Sequence, residues 1–189
     1  MKKALFFAIF VLFLISTSFY SFAQRGKKVQ YSPIMLGAEI GLGIPTGDFG
    51  DVVNTGYGLN GVFSYFLQSD LLLTGTIGYW SFKKEEGGVD FTFNTIPFNA
   101  GIQYRFGQVQ FIPFIGAETF LFFNSAKVSY LGYSESDSET KFGFVPLVGF
   151  AYKISPTMEL RGTFKYTIIF TEGENTTFIG ILFGLHFPL

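Results

Sequence analysis

The chain has 189 residues, of which 48% are hydrophobic, 20% aromatic and 14% charged, with 23 glycines and a formal net charge of −1. That aromatic load excludes intrinsic disorder. The absence of cysteine excludes disulfide scaffolds, thiolate metal sites, cysteine nucleophiles and a lipid anchor on an N-terminal cysteine, and a single histidine starves His-based catalysis and multi-His metal binding of ligands.

The first predicted element is an address. Lys2 and Lys3 precede twelve uninterrupted apolar residues, 4–15, and Ser21-Phe22-Ala23 places small residues at −3 and −1. This pattern predicts a secretory signal peptide over 1–23, cleaved before Gln24. Twelve apolar residues fall short of the ~20 that a spanning helix needs. Residues 24–189 then form one domain with a net charge of −3 and no basic face, so no nucleic-acid partner is expected.

Beyond Ala23 no apolar run reaches a spanning length, despite a mean hydropathy of +0.36, which excludes a helical membrane bundle. Apolar residues instead recur at every second position over 36–44, 57–65, 71–79, 96–106, 111–123, 142–154, 160–170 and 179–189. None of those positions is charged. The other phase carries Glu39, Asn60, Ser64, Thr74, Thr76, Asn99, Gln103, Arg105, Glu118, Glu159, Arg161, Thr163, Lys165 and Thr167, together with many of the glycines. Glycine weakens strands, so its segregation to one face needs a steric reason, which the cramped interior of an eight-stranded barrel supplies. The fifth and sixth segments also place Ile112, Phe114, Phe120, Phe122, Val145 and Leu147 on the polar phase.

The connections alternate. Those over 47–55, 83–90, 124–141 and 171–176 are long or hydrophilic, whereas 67–70, 107–110 and 155–158 are tight. Tyr and Phe gather near the segment ends. Together these features predict an all-β, eight-stranded antiparallel up-and-down transmembrane barrel, with short periplasmic turns, longer extracellular loops and both termini periplasmic. Pro97, Pro113 and Pro146 fall within predicted strands, so each should sit at a rim or a bulge, because a closed barrel has no free edge. Period two alone does not say which face is inside, and a soluble lipocalin-like barrel is the inverted alternative.

The stretch Gly41-Leu42-Gly43-Ile44-Pro45-Thr46-Gly47-Asp48-Phe49 leaving the first strand, and Ile96-Pro97-Phe98-Asn99-Ala100-Gly101-Ile102-Gln103-Tyr104-Arg105-Phe106, resemble the small outer-membrane β-barrels of Gram-negative bacteria, the outer-membrane protein A-like and porin-family barrels. The last strand resembles that family's assembly signal through Gly184, Phe187 and Leu189, ending on leucine where an aromatic is usual. The resemblance implies location in the outer membrane, contact with its lipid including lipopolysaccharide, and insertion by the barrel-assembly machinery. It implies no particular activity, because the fold hosts adhesins, pores, structural proteins and some enzymes.

Candidate functional residues fall into three groups. Glu39, Glu118, Arg161, Lys165 and Arg105, with Glu159, face the predicted lumen, where they form either a salt-bridged plug or a polar path; the plug is favoured because unpaired charge in a narrow interior is costly. The loops hold ten acids, Asp48, Asp51, Glu85, Glu86, Asp90, Glu135, Asp137, Glu139, Glu172 and Glu174, against four lysines. No spacing matches a calcium loop, so solvated acidic loops are expected and no metal or cofactor. The longest loop, with Tyr130, Tyr133 and the run Ser134-Glu135-Ser136-Asp137-Ser138-Glu139, suits recognition of a protein partner. His186 is the fourth residue from the C-terminal end, no Gly-x-Ser-x-Gly elbow exists, and the chain is not expected to be an enzyme. The leading reading is a structural or interaction barrel acting through its loops; the alternative is a small pore for small or hydrophobic molecules.

Overall fold

The computed structural model describes residues 33–107, 110–130 and 133–189; the expected signal segment lies outside the described residues. Among them, strands β1 (Ile34–Thr46), β2 (Gly56–Phe66), β3 (Leu71–Glu86), β4 (Val89–Arg105), β5 (Phe111–Tyr130), β6 (Tyr133–Ser155), β7 (Met158–Ile169) and β8 (Thr176–Pro188) pair in sequence order, and β8 returns to β1 to close the barrel. Every pairing is antiparallel, with Leu36 opposite Phe63 on one side and Phe187 on the other. A short helix, α1 (Asp48–Val52), fills the connection from β1 to β2.

The two phases of each strand separate across the wall. Ile40, Leu59, Ile77, Phe98, Val148, Phe164 and Phe183 project outward and are more than half exposed. All fourteen residues of the polar phase, from Glu39 to Thr167, are buried in the interior. The inverted, lipocalin-like arrangement is thereby excluded: the apolar face is outside. Glycine serves the interior as expected from crowding. A side chain at Gly58 would collide with the Trp80 ring, and one at Gly37 with the His186 ring.

Three sequence expectations need correction. The stretches 83–86, 89–90, 124–130 and 133–141 are strand rather than loop: β3 and β4 run on to Glu86 and Val89 around a two-residue turn, and β5 pairs with β6 as far as Tyr130 and Tyr133. Gly87 and Gly88 have φ of 62° and 79°, the paired positive values of a hairpin turn that follows the right-handed strand twist. Polar residues on both faces hid these strands, because above the lipid nothing demands an apolar outer face while the backbone ladder persists. β6 runs ten residues past Gly143, where β7 begins to pair with it, on the order of 33 Å along the strand.

Phe120 was expected inside. It is turned out instead, with φ 154° and its ring centroid 6.1 Å from Phe98 and 6.3 Å from Phe142. Phe122 lies across Gly143 and takes the interior volume that Phe120 would need.

The prolines follow a third pattern. Pro113 is at the rim, where Phe106, just past the end of β4, donates its N–H to the Pro113 carbonyl at 2.8 Å. Pro97 and Pro146 are neither at a rim nor at a register shift. The β3–β4 ladder skips from Ile77–Phe98 to Trp80–Thr95, and the β6–β7 ladder from Phe144–Ile168 to Leu147–Lys165, both resuming in the same register. Each proline thus sits in a local interruption of its seam, which removes the need for the N–H it lacks.

Candidate functional site

The interior charges form three groups stacked from the turn end upward. Nearest that end, Arg105 on β4 donates from Nη2 to both carboxylate oxygens of Glu159 on β7, at 2.8 and 3.0 Å, and its guanidinium lies 5.6 Å from the Phe66 ring centroid. Next, Glu39 Oε1 is 3.1 Å from His186 Nε2 and accepts from Thr163 Oγ1 at 3.2 Å, while Arg161 Nη1 is 3.3 Å from His186 Nδ1. A guanidinium can only donate, so Nδ1 accepts and Nε2–H donates to Glu39, which fixes the tautomer. Arg161 also stacks 4.3 Å from the Phe114 ring centroid. Highest, Lys165 Nζ on β7 reaches both oxygens of Glu118 on β5 at 3.0 Å, and Thr76 Oγ1 on β3 donates to Glu118 Oε1 at 2.9 Å.

Glu39, Glu118, Arg161, Lys165 and Arg105 all face the interior, divided among these three groups, and the buried set, with Glu159, balances three carboxylates against three cations. Each carboxylate has a cationic or imidazole partner in reach, as burial requires. For His186 the sequence points to a terminal structural histidine and names no partners for it. It bridges Glu39 and Arg161 and is fully buried, and the signal for those partners was its place on the polar phase of the last strand.

Above the charges lies an apolar cap the sequence reading missed. Phe82 is 5.3 Å from Phe49 of α1 and 5.0 Å from Phe178; Phe49 is 5.0 Å from Phe93, and Trp80 is 5.2 Å from Phe178. Val53, Phe122, Val145, Ile169 and Leu182 complete this cluster, while Ile112, Phe114, Leu147 and Ala151 form a smaller one nearer the turns. Trp80 and Phe82 on the polar phase of β3 were the overlooked signal. Between the clusters two cavities of about 10 Å³ each are lined by Glu118 and Lys165 in common, enough for about one water molecule.

Beyond the cap, β3 to β6 continue as a four-stranded sheet. Its inner face carries Phe91, Ala126, Val128, Tyr130 and Tyr133, with Tyr133 84% exposed. Glu135, Asp137 and Glu139 alternate along β6 on that face, opposite Val128, Ala126 and Asn124. Lys84 donates to the Asp51 carbonyl at 2.8 Å and ties the α1 connection to this sheet. Its ion pair with Glu86 holds that carboxyl below its ordinary value. Past Phe142 the β7-facing edge of β6 carries no ladder among the described residues. No three acidic or histidine side chains gather to hold a metal ion among the described residues.

At the C-terminal end, Gly184 packs against Ala38 and Glu39 inside, Phe187 faces out, and the Leu189 N–H donates to the Ile34 carbonyl at 3.0 Å.

This geometry is shared with known proteins. Residues 9–187 match the family described as outer membrane protein beta-barrel domain. The chain is similar in structure to Neisserial surface protein A, at 22% identity and TM-score 0.63, over 84% of this chain and 98% of that one. It is also similar to Ail, the attachment invasion locus protein of Yersinia pestis, in complex with the heparin analogue sucrose octasulfate, at 17% identity and TM-score 0.56, over 82% and 99%. A major outer membrane protein from Thermus thermophilus matches at 13% identity and TM-score 0.56, over 82% and 99%. No curated protein matches the sequence significantly. The chain belongs to the outer membrane protein beta-barrel domain family and resides in the outer membrane of a Gram-negative bacterium.

Proposed function

We propose that this barrel is plugged and acts through the sheet that β3 to β6 raise above the membrane, as a docking surface for a protein partner. The observation that carries the reading is the contrast between the two ends of the molecule. The lumen is charge-neutral, ion-paired and capped by aromatic rings, with cavities of about 10 Å³. The raised sheet is the opposite. It presents Tyr130 and Tyr133, three alternating acids, and a β6 edge that carries no ladder past Phe142 among the described residues, with the Ser138 N–H held by the Asp137 carboxylate at 2.8 Å.

The charge of this surface selects its partner. A second copy of β6 would bring Glu135, Asp137 and Glu139 against their own kind, and a sulfated polyanion of the type crystallised with Ail meets the same repulsion. An extended segment bearing Lys or Arg is the complementary occupant. The pore reading is less well supported, because the inward apolar residues of β5 and β6 that suggested it pack into the two clusters and fill the interior.

The mature chain begins at Gln24 in this reading, is not an enzyme, meets lipopolysaccharide along its outer-leaflet wall, and is inserted by the barrel-assembly machinery through Gly184, Phe187 and Leu189. The test pairs two measurements on refolded mature protein. Planar bilayers should show no discrete openings, and replacing Glu135, Asp137 and Glu139 by Lys should abolish capture of basic extended peptides without altering the heat-modifiable gel shift. Discrete single-channel openings from wild type would refute the plug; unchanged peptide capture would refute the docking surface.

A further inference from the structure

An open depression of about 620 Å³ lies on the outer wall, among Ile115, Pro146, Val148, Phe164, Tyr166 and Ile179. It sits over the β6–β7 interruption. Phe170 donates its N–H to the Phe142 carbonyl, so two and four residues further down β6, Phe144–Ile168 and then Pro146–Tyr166 occupy the hydrogen-bonding positions of the ladder. Pro146 has no N–H to give, and the Tyr166 carbonyl loses that donor at a depth where no water replaces it. Around the small floor formed by Pro146 and Gly116, the side chains of Ile115, Val148, Phe164 and Tyr166 stand up as walls. The hollow between them forfeits dispersion contacts until something fills it.

We propose that this trough is a seat for a single acyl chain of an outer-membrane lipid. It is continuous with the lipid-facing surface of the barrel and lies between the aromatic residues that flank the seam, Phe142 and Phe170 above and Tyr152 below. At that depth the medium offers hydrocarbon, which excludes a soluble protein. The one cation at the back of the trough, Lys165, is held by both oxygens of Glu118, so the seat takes the tail of the lipid and offers no pocket for a headgroup. Behind it the interior leaves only about 10 Å³, so the chain rests in the wall without passing through it. The seat is independent of the docking reading above.

The test uses the refolded mature chain in phospholipid vesicles containing a trace of phospholipid with a diazirine on its acyl chain, with crosslinks mapped to peptides after photolysis. Label should concentrate on 146–148 and 164–166 and saturate as probe is added. Val148→Trp, which fills the trough, should lower it at least about tenfold with folding verified by gel shift. Label spread over all strands in proportion to exposed area, without saturation, would overturn the proposal from wild type alone. Saturable label at the seam that Val148→Trp leaves unchanged, in folded protein, would overturn it equally.

Discussion

Removing the charge of Glu118 isolates the reasoning behind the plug. Glu118→Gln keeps the shape and an acceptor for Thr76, and leaves the Lys165 ammonium, 6% exposed, without its counter-charge. Breaking a buried pair on one side costs about 3–5 kcal/mol, because the remaining charge is desolvated and uncompensated. Lys165→Met strands the carboxylate and should cost a similar amount. The double variant should be closer to wild type than either single one, since a buried pair replaced by neutral groups is often neutral or stabilising. Denaturant titration in vesicles, followed by the fluorescence of Trp80, the only tryptophan, gives all four corners of the cycle. Single variants that both fall within about 0.5 kcal/mol of wild type, the range of surface substitutions, would mean a wet interior and would refute the plug.

The aromatic cap should make Trp80 fluorescence blue-shifted and resistant to acrylamide, and Phe82→Ala should cost about 3–5 kcal/mol while raising quenching of Trp80. Gly58→Val forces a side chain into the Trp80 ring and should cost about 1–3 kcal/mol by overpacking, measured as a lowered denaturant midpoint. Pro146→Ala restores the donor facing the Tyr166 carbonyl and should stabilise by about 0.5–1.5 kcal/mol, with slowed hydrogen exchange along the seam.

The wall was legible in the sequence because lipid and a packed interior impose opposite chemistry on successive residues. Glu39, Asn60 and Arg105 had only one place to point once Ile40, Leu59 and Tyr104 faced hydrocarbon. Legibility stopped where that contrast stops. Above the membrane both faces of β6 meet water, so Ser134 to Glu139 read as a loop although they are paired with β5. Inside, an apolar residue on the polar phase has two outcomes, and only packing decides: Phe122 fills the interior, Phe120 turns out. Histidine chemistry was hidden for a related reason. His186 gains its partners from β1 and β7, 147 and 25 residues away in sequence, and no local pattern announces such contacts.

The same carboxylate also explains how the barrel carries two interrupted seams. Pro97 opens the ladder between β3 and β4, and Pro146 opens the one between β6 and β7, so the three strands β4, β5 and β6 hang between two weakened lines. Glu118 stands on the middle strand of those three. It accepts from Thr76 on β3 and from Lys165 on β7, the strands just across each opening. The lumen contacts therefore bridge laterally what the wall has lost, and they do so in a narrow, buried interior, where a charge-assisted bond is stronger than at the surface. The pair at the bottom of the stack, Arg105 with Glu159, ties β4 to β7 near the turns, away from both proline openings. On this argument the cost of Glu118→Gln concentrates at the two proline seams, so their backbone amides should exchange sooner while those around Arg105 and Glu159 keep their protection.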